Sequence, residues 1–113
     1  MSVDLKSGFE ATARVEGDST VLVLEGELDI GVKERALAVF EQACDTRGVV
    51  ADLRGLTFMD STGIHLLFEA RDRCRASGRT FRLIRGPDTV HRSIVLLGLE
   101  HEFEFFDEPL AAT

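Results

Sequence analysis

Asp52-Leu53-Arg54-Gly55-Leu56-Thr57-Phe58-Met59-Asp60-Ser61-Thr62-Gly63-Ile64 is the stretch on which the reading of the fold turns. It continues the apolar run Val49-Val50-Ala51, and Val49 to Leu53 has the composition of a buried strand. Arg54 to Met59 then reads as a connecting loop. A helix starts at Asp60 or Ser61, both residue types favoured at an N-cap. No capping box is present, because Gly63 and Ile64 stand where Glu or Gln is needed. This order places a hydroxyl where a helix begins. Free backbone N–H groups and the positive end of the helix dipole favour an anion there, phosphate included. Phe58 and Met59 precede the polar turn, so they either tuck under the helix or stand out as interface anchors.

Upstream, residues 1–8 read as a frayed start. Phe9 to Val15 alternates as an edge strand, with Phe9, Ala11, Ala13 and Val15 on one side. Glu16-Gly17-Asp18-Ser19 is turn chemistry, and Thr20 to Leu28 contains the unbroken run Val21-Leu22-Val23-Leu24 of a central strand, so the first two strands make a hairpin. Asp29-Ile30-Gly31 leads into a helix from about Val32 to Asp45, with Val32, Ala36, Val39, Phe40, Ala43 and Cys44 at helical spacing.

Downstream, the second helix runs from about Ser61 to Ser77 and stops at Gly78. Thr80 to Ile84 is a strand. Gly86-Pro87-Asp88 opens a third helix, Asp88 to Leu97, with Val90, Ile94 and Leu97 facing in and Gly98 ending it. Glu102 to Phe106 alternates as a last short strand, and the tail from Asp107 is irregular. The order β-β-α-β-α-β-α-β predicts an α/β fold: a mixed sheet of four to five strands, largely parallel after the hairpin, with helices mainly on one face. At 113 residues it reads as a single domain, 1–113, with its core at about 9–106.

Composition narrows the function classes. The apolar share of 44% is ordinary for a globular protein. No apolar run approaches the roughly 20 residues of a membrane span, and the first residues lack the pattern of a signal peptide, which predicts a cytoplasmic protein. A formal charge of −7 argues against direct nucleic-acid binding as the main role. Arg71, Arg73, Arg75, Arg79, Arg82 and Arg85 form a local basic run, read as a solvated face or as a dock for an acidic partner. Cys44 and Cys74 have no metal-ligand spacing and read as buried free thiols; His65, His91 and His101 are scattered. Neither metal nor cofactor is expected.

Two motifs carry a resemblance. Phe58-Met59-Asp60-Ser61-Thr62-Gly63-Ile64 after a VVADL strand, together with Leu24-Glu25-Gly26-Glu27-Leu28-Asp29, resembles the anti-sigma factor antagonists of the STAS fold, over about Phe9 to Phe106. The resemblance implies that Ser61 is the phosphorylation site, with Thr62 as fallback. It implies a partner-binding surface of Asp29, Phe58, Met59, Asp60, Ser61, Thr62, Gly63 and His65. The implied partner is an anti-sigma factor that is also a serine/threonine kinase of the histidine-kinase-like ATPase class; a serine phosphatase resets the switch. Binding by the unphosphorylated form frees the sigma factor, and a phosphate on Ser61 adds about −1.5 to −2 charges beside Asp60. The helix N-terminus is expected to offset part of that repulsion. His65 departs from the small residue common at this place.

Two other readings stand beside this one. Such domains also occur in other signalling scaffolds and as accessory subunits of lipid transporters. Ser61, His65 and Asp60 superficially suit a hydrolase, but no Gly-x-Ser-x-Gly elbow or P-loop exists, so the chain reads as a non-enzyme.

Overall fold

The computed structural model describes residues 8–43 and 46–106. Five strands form one sheet in the order β1-β2-β3-β4-β5: β1 (Phe9–Glu16), β2 (Ser19–Leu28), β3 (Gly48–Met59), β4 (Thr80–Ile84) and β5 (Glu104–Phe106). β1 and β2 pair as the expected antiparallel hairpin, and every later neighbour pair is parallel. The returns are made by α1 (Lys33–Ala43), entered through a 3-10 turn at Ile30–Val32, by α2 (Ser61–Ala76) and by α3 (Asp88–Leu96). A second 3-10 turn, Glu100–Glu102, precedes β5.

The period-2 pattern of the strands divides the sheet into two unlike faces. One face brings Leu22, Leu24, Ala51, Leu53 and Leu83 against Phe40 of α1, Leu67 of α2 and Ile94 of α3 in a single core. Each fully buried Leu or Phe there contributes about 1.5–3 kcal/mol relative to exposure. The apolar cluster of the other face is Val21, Val50 and Ile84 with Val23 beside them, and no helix residue among those described joins it. The helices are therefore on one side, as the sequence pattern predicts.

Two features of the packing differ from the sequence pattern, and some expected features lie outside the described residues. Ala13 and Val15 are exposed although they share a side with buried Phe9. They line an open groove with Val39 and Gln42 of α1. Leu97 is 56% exposed, because α3 ends at Leu96 and Leu97 is its C-cap. Cys74 is buried as expected, whereas Cys44, the expected helix end at Asp45, the first seven residues and the tail from Asp107 lie outside the described residues.

The largest correction concerns Arg54 to Met59, which is strand and not loop. β3 is twelve residues long and keeps β2 as its partner to the end, through two irregularities of register. Val23 pairs with Asp52 and Glu25 with Gly55, so Leu53 and Arg54 together face Leu24; Gly26 pairs with Leu56 and Glu27 with Phe58, so Thr57 is also extra. Each bulge resets the alternation. As a result Leu53, Leu56 and Met59, three apart, are all buried. That spacing looks nothing like a strand when read in sequence.

Candidate functional site

β4 stops at Ile84, opposite Asp52, but β2 and β3 run on and end side by side at the pair Leu28–Met59. Asp29 and Asp60 are the next residue of each chain segment. The C-terminal ends of parallel strands are where open α/β sheets usually present their ligand sites. Asp29, Phe58, Met59, Asp60, Ser61, Thr62 and Gly63 are all brought to this end of the sheet.

Asp60 is the N-cap of α2. Its backbone is extended (φ −102°, ψ −169°), and its Oδ1 accepts from the Thr62 N–H at 2.9 Å and the Gly63 N–H at 3.2 Å. Capping is thus the work of Asp60, and the Ser61 side chain, first in the helix, is exposed. Thr62 is half-buried. The same geometry alters one expectation: two first-turn donors open to a phosphate on Ser61, the Thr62 and Gly63 N–H groups, are already held by a carboxylate.

Gly63 fixes how closely the helix approaches the strands. A Cβ there would lie 2.5 Å from Met59 Cγ and 2.9 Å from the Leu28 carbonyl oxygen. Only a hydrogen fits, so the turn carrying Ser61 rests directly on the ends of β2 and β3. Gly26 has a similar duty one strand away: its φ is +93°, and a Cβ would fall 1.6 Å from the Gly8 carbonyl oxygen.

The two apolar residues before the turn have opposite fates. Met59 is 4% exposed and packs in the core, which corrects its expected place on a partner-contacting surface. Phe58, opposite Glu27, is 47% exposed and turned away from that core. His65 is exposed one turn beyond Ser61. Asp29 is half-buried and directed at its own turn, where Oδ1 accepts from the Gly31 N–H at 2.9 Å.

Electrostatics around the site were only partly legible. The arginines of the basic run are largely engaged within the protein: Arg71 with Asp72 and Glu102, Arg73 with Glu41 and Glu69, Arg82 with Glu104, and Arg79 donating to the Thr46 carbonyl. Glu10, Glu25 and Glu27 at the site end are exposed and make no ion pair among the described residues. A dock for an acidic partner therefore gains no support. The sequence reading also missed Asp52, which is 3% exposed on the helix-free face. Its Oδ1 takes the Arg54 N–H that the first bulge frees, at 3.0 Å, and its Oδ2 takes the Arg54 guanidinium at 2.8 Å. Burial pushes its carboxyl up, but the Arg54 hydrogen bonds and charge, with Arg14 beyond, outweigh burial and hold it below the usual carboxylate value. The available signal was an acid inside a valine-rich strand with an arginine two residues on.

Among the described residues no hydrogen bond links Ser61, His65 and Asp60, and both cap bonds tie Asp60 Oδ1 to the helix start. Among the described residues no group of three His, Cys, Asp or Glu can hold a metal ion, and no described helix is long and apolar enough to cross a membrane.

The family model of the STAS domain matches residues 10–112. The chain belongs to the STAS domain family. Among solved structures, this STAS domain is similar to an anti-sigma factor antagonist from Mycobacterium paratuberculosis, with a TM-score of 0.75 at 19% identity, over 88% of this chain and 86% of that one. It is similar to the anti-sigma factor antagonist SpoIIAA in its unphosphorylated form, with a TM-score of 0.71 at 24% identity, over 88% and 89%. It is also similar to the Bacillus cell fate determinant SpoIIAA in the phosphorylated form, with a TM-score of 0.65 at 23% identity, over 88% and 92%. These likenesses establish the fold. No curated protein sequence matches the chain significantly.

Proposed function

We propose that this STAS domain is an anti-sigma factor antagonist whose unphosphorylated form binds an anti-sigma factor serine kinase, and that phosphorylation of Ser61 ends that binding. The observation that carries the reading is the exposed Ser61 at the first position of α2, relieved of capping by Asp60 and three residues after the exposed Phe58. An exposed hydroxyl suits a kinase, and an exposed aromatic suits a partner's pocket. The similarity to SpoIIAA, whose structures include both unphosphorylated and phosphorylated forms, supports the same reading.

The switch is electrostatic. Phosphate on Ser61 brings about −1.5 to −2 charges next to the Asp60 carboxylate. With the Thr62 and Gly63 N–H groups already taken, fewer donors of the helix start remain to absorb that charge. Within a packed interface it is desolvated beside like charge, and a loss of about 3 kcal/mol weakens binding more than a hundredfold. The domain itself has no catalytic part in this scheme, and a phosphatase restores the hydroxyl. Capture of the partner from cell extract, addition of ATP and mapping by mass spectrometry tests the proposal. Phosphate on Ser61 is expected; a partner without kinase activity, such as a transporter ATPase that leaves Ser61 bare, would overturn it.

A further inference from the structure

We infer that His65 is the counter-ion of phosphorylated Ser61, so that the modified state is favoured where the imidazole is protonated. This rests on Ser61 being the phosphoacceptor.

Ser61 and His65 are both exposed and four residues apart on α2. That spacing sets two helical side chains on one face, about 5–6 Å apart at Cβ. Side chains of a helix lean toward its N-terminus, so His65 leans over the turn that bears Ser61. The Thr62 and Gly63 N–H groups of that turn are held by Asp60, which leaves a phosphate fewer backbone donors and favours a cation nearby.

The neighbours of His65 leave it available. Glu69, its partner one turn on, is bonded to Arg73 at 3.1 Å, and Arg73 also takes Glu41 of α1. That Glu41–Arg73 pair joins the late turns of α1 and α2, so the first turn of α1 brings Lys33 and Glu34, both exposed, to the same end as Ser61. Asp29 and Asp60 complete the charged set there. β3 and β4 meet α2 with Leu53, Leu56, Met59, Phe81 and Leu83, none of them titratable. The charged groups at that end are thus carboxylates apart from Lys33, and a dianion at Ser61 would be the nearest of them to His65 along the helix. An opposite charge raises the imidazole pKa and lowers the second pKa of the phosphate.

The test uses the full chain with phosphoserine installed at position 61 during synthesis, so it does not depend on any kinase. The phosphate is titrated by phosphorus NMR and His65 by its ring protons. The phosphate pKa should be about 0.3 unit lower in the parent chain than in His65→Gln, with the His65 pKa raised by a like amount over the unphosphorylated chain. His65→Lys should keep the phosphate pKa low. Identical phosphate titrations in parent and His65→Gln overturn the pairing, and so does a shift that survives His65→Gln but vanishes in Lys33→Ala. A native partner that never modifies Ser61 sinks the functional reading while leaving this result intact.

Discussion

Three side chains in a row set the chemistry of the site. Met59 is packed away, Asp60 gives its carboxylate to the backbone, and Ser61 is left with an exposed hydroxyl. Phe58 lies just before them and is the one with nothing to do in the core. Phe58→Ala should therefore weaken partner binding about tenfold or more while leaving the melting temperature within a degree or two, since anchors of this type carry a large share of interface energy. Calorimetry of the complex, paired with thermal unfolding of the variant alone, separates the two effects. Asp52 shows the reverse pattern, a charge whose use is structural. Its carboxyl is held low, so its stabilisation is complete above the ordinary aspartate value of about 3.9 and is lost as pH falls through the lower folded-state value. Asp52→Asn should cost about 1–3 kcal/mol near neutral pH, and urea unfolding should show the gap between parent and variant closing in acid. A gap that stays constant with pH is the contrary result.

At the scale of elements, the joint between β2, β3 and α2 decides where the hydroxyl stands. Gly63 is the contact point, with Met59 Cγ and the Leu28 carbonyl where a methyl would need to be. Gly63→Ala should cost about 1–3 kcal/mol, as overpacking does, and should reduce phosphorylation of Ser61 as the helix start is displaced. A variant of full stability and unchanged phosphorylation rate, measured by phosphate incorporation, counts against that tight seating. The elements whose burial follows one simple period are legible in the sequence: Thr80–Ile84 coincides with β4, and α2 starts at Ser61 and stops before Gly78 as its pattern predicts. The second half of β3 was not, because two bulges put Leu53, Leu56 and Met59 on one face at a spacing of three. Ala13 and Val15 alternate properly yet stay exposed beside an open groove shared with Val39 and Gln42 of α1, and period carries no information on how tightly such a groove closes.

The whole molecule separates its charges. Arginines along α2 and β4 are matched by acids of α1, the second 3-10 turn and β5, while exposed Glu10, Glu25 and Glu27 gather near the end of the sheet that holds Phe58 and Ser61. The sequence showed the net charge of −7 but could not show which charges cancel, since the pairs are about twenty to thirty residues apart in the chain and are made only by the fold. It did show the phosphoacceptor candidate, because a short motif at a strand-to-helix joint is local. The central claim is that a dianion at Ser61 turns a binding surface into a repelling one. Its most direct test is the dissociation constant of the isolated kinase partner for the chain with phosphoserine at 61, set against the unmodified chain. At least a hundredfold weaker binding of the modified chain is predicted, as about 3 kcal/mol demands; equal affinities would contradict the account.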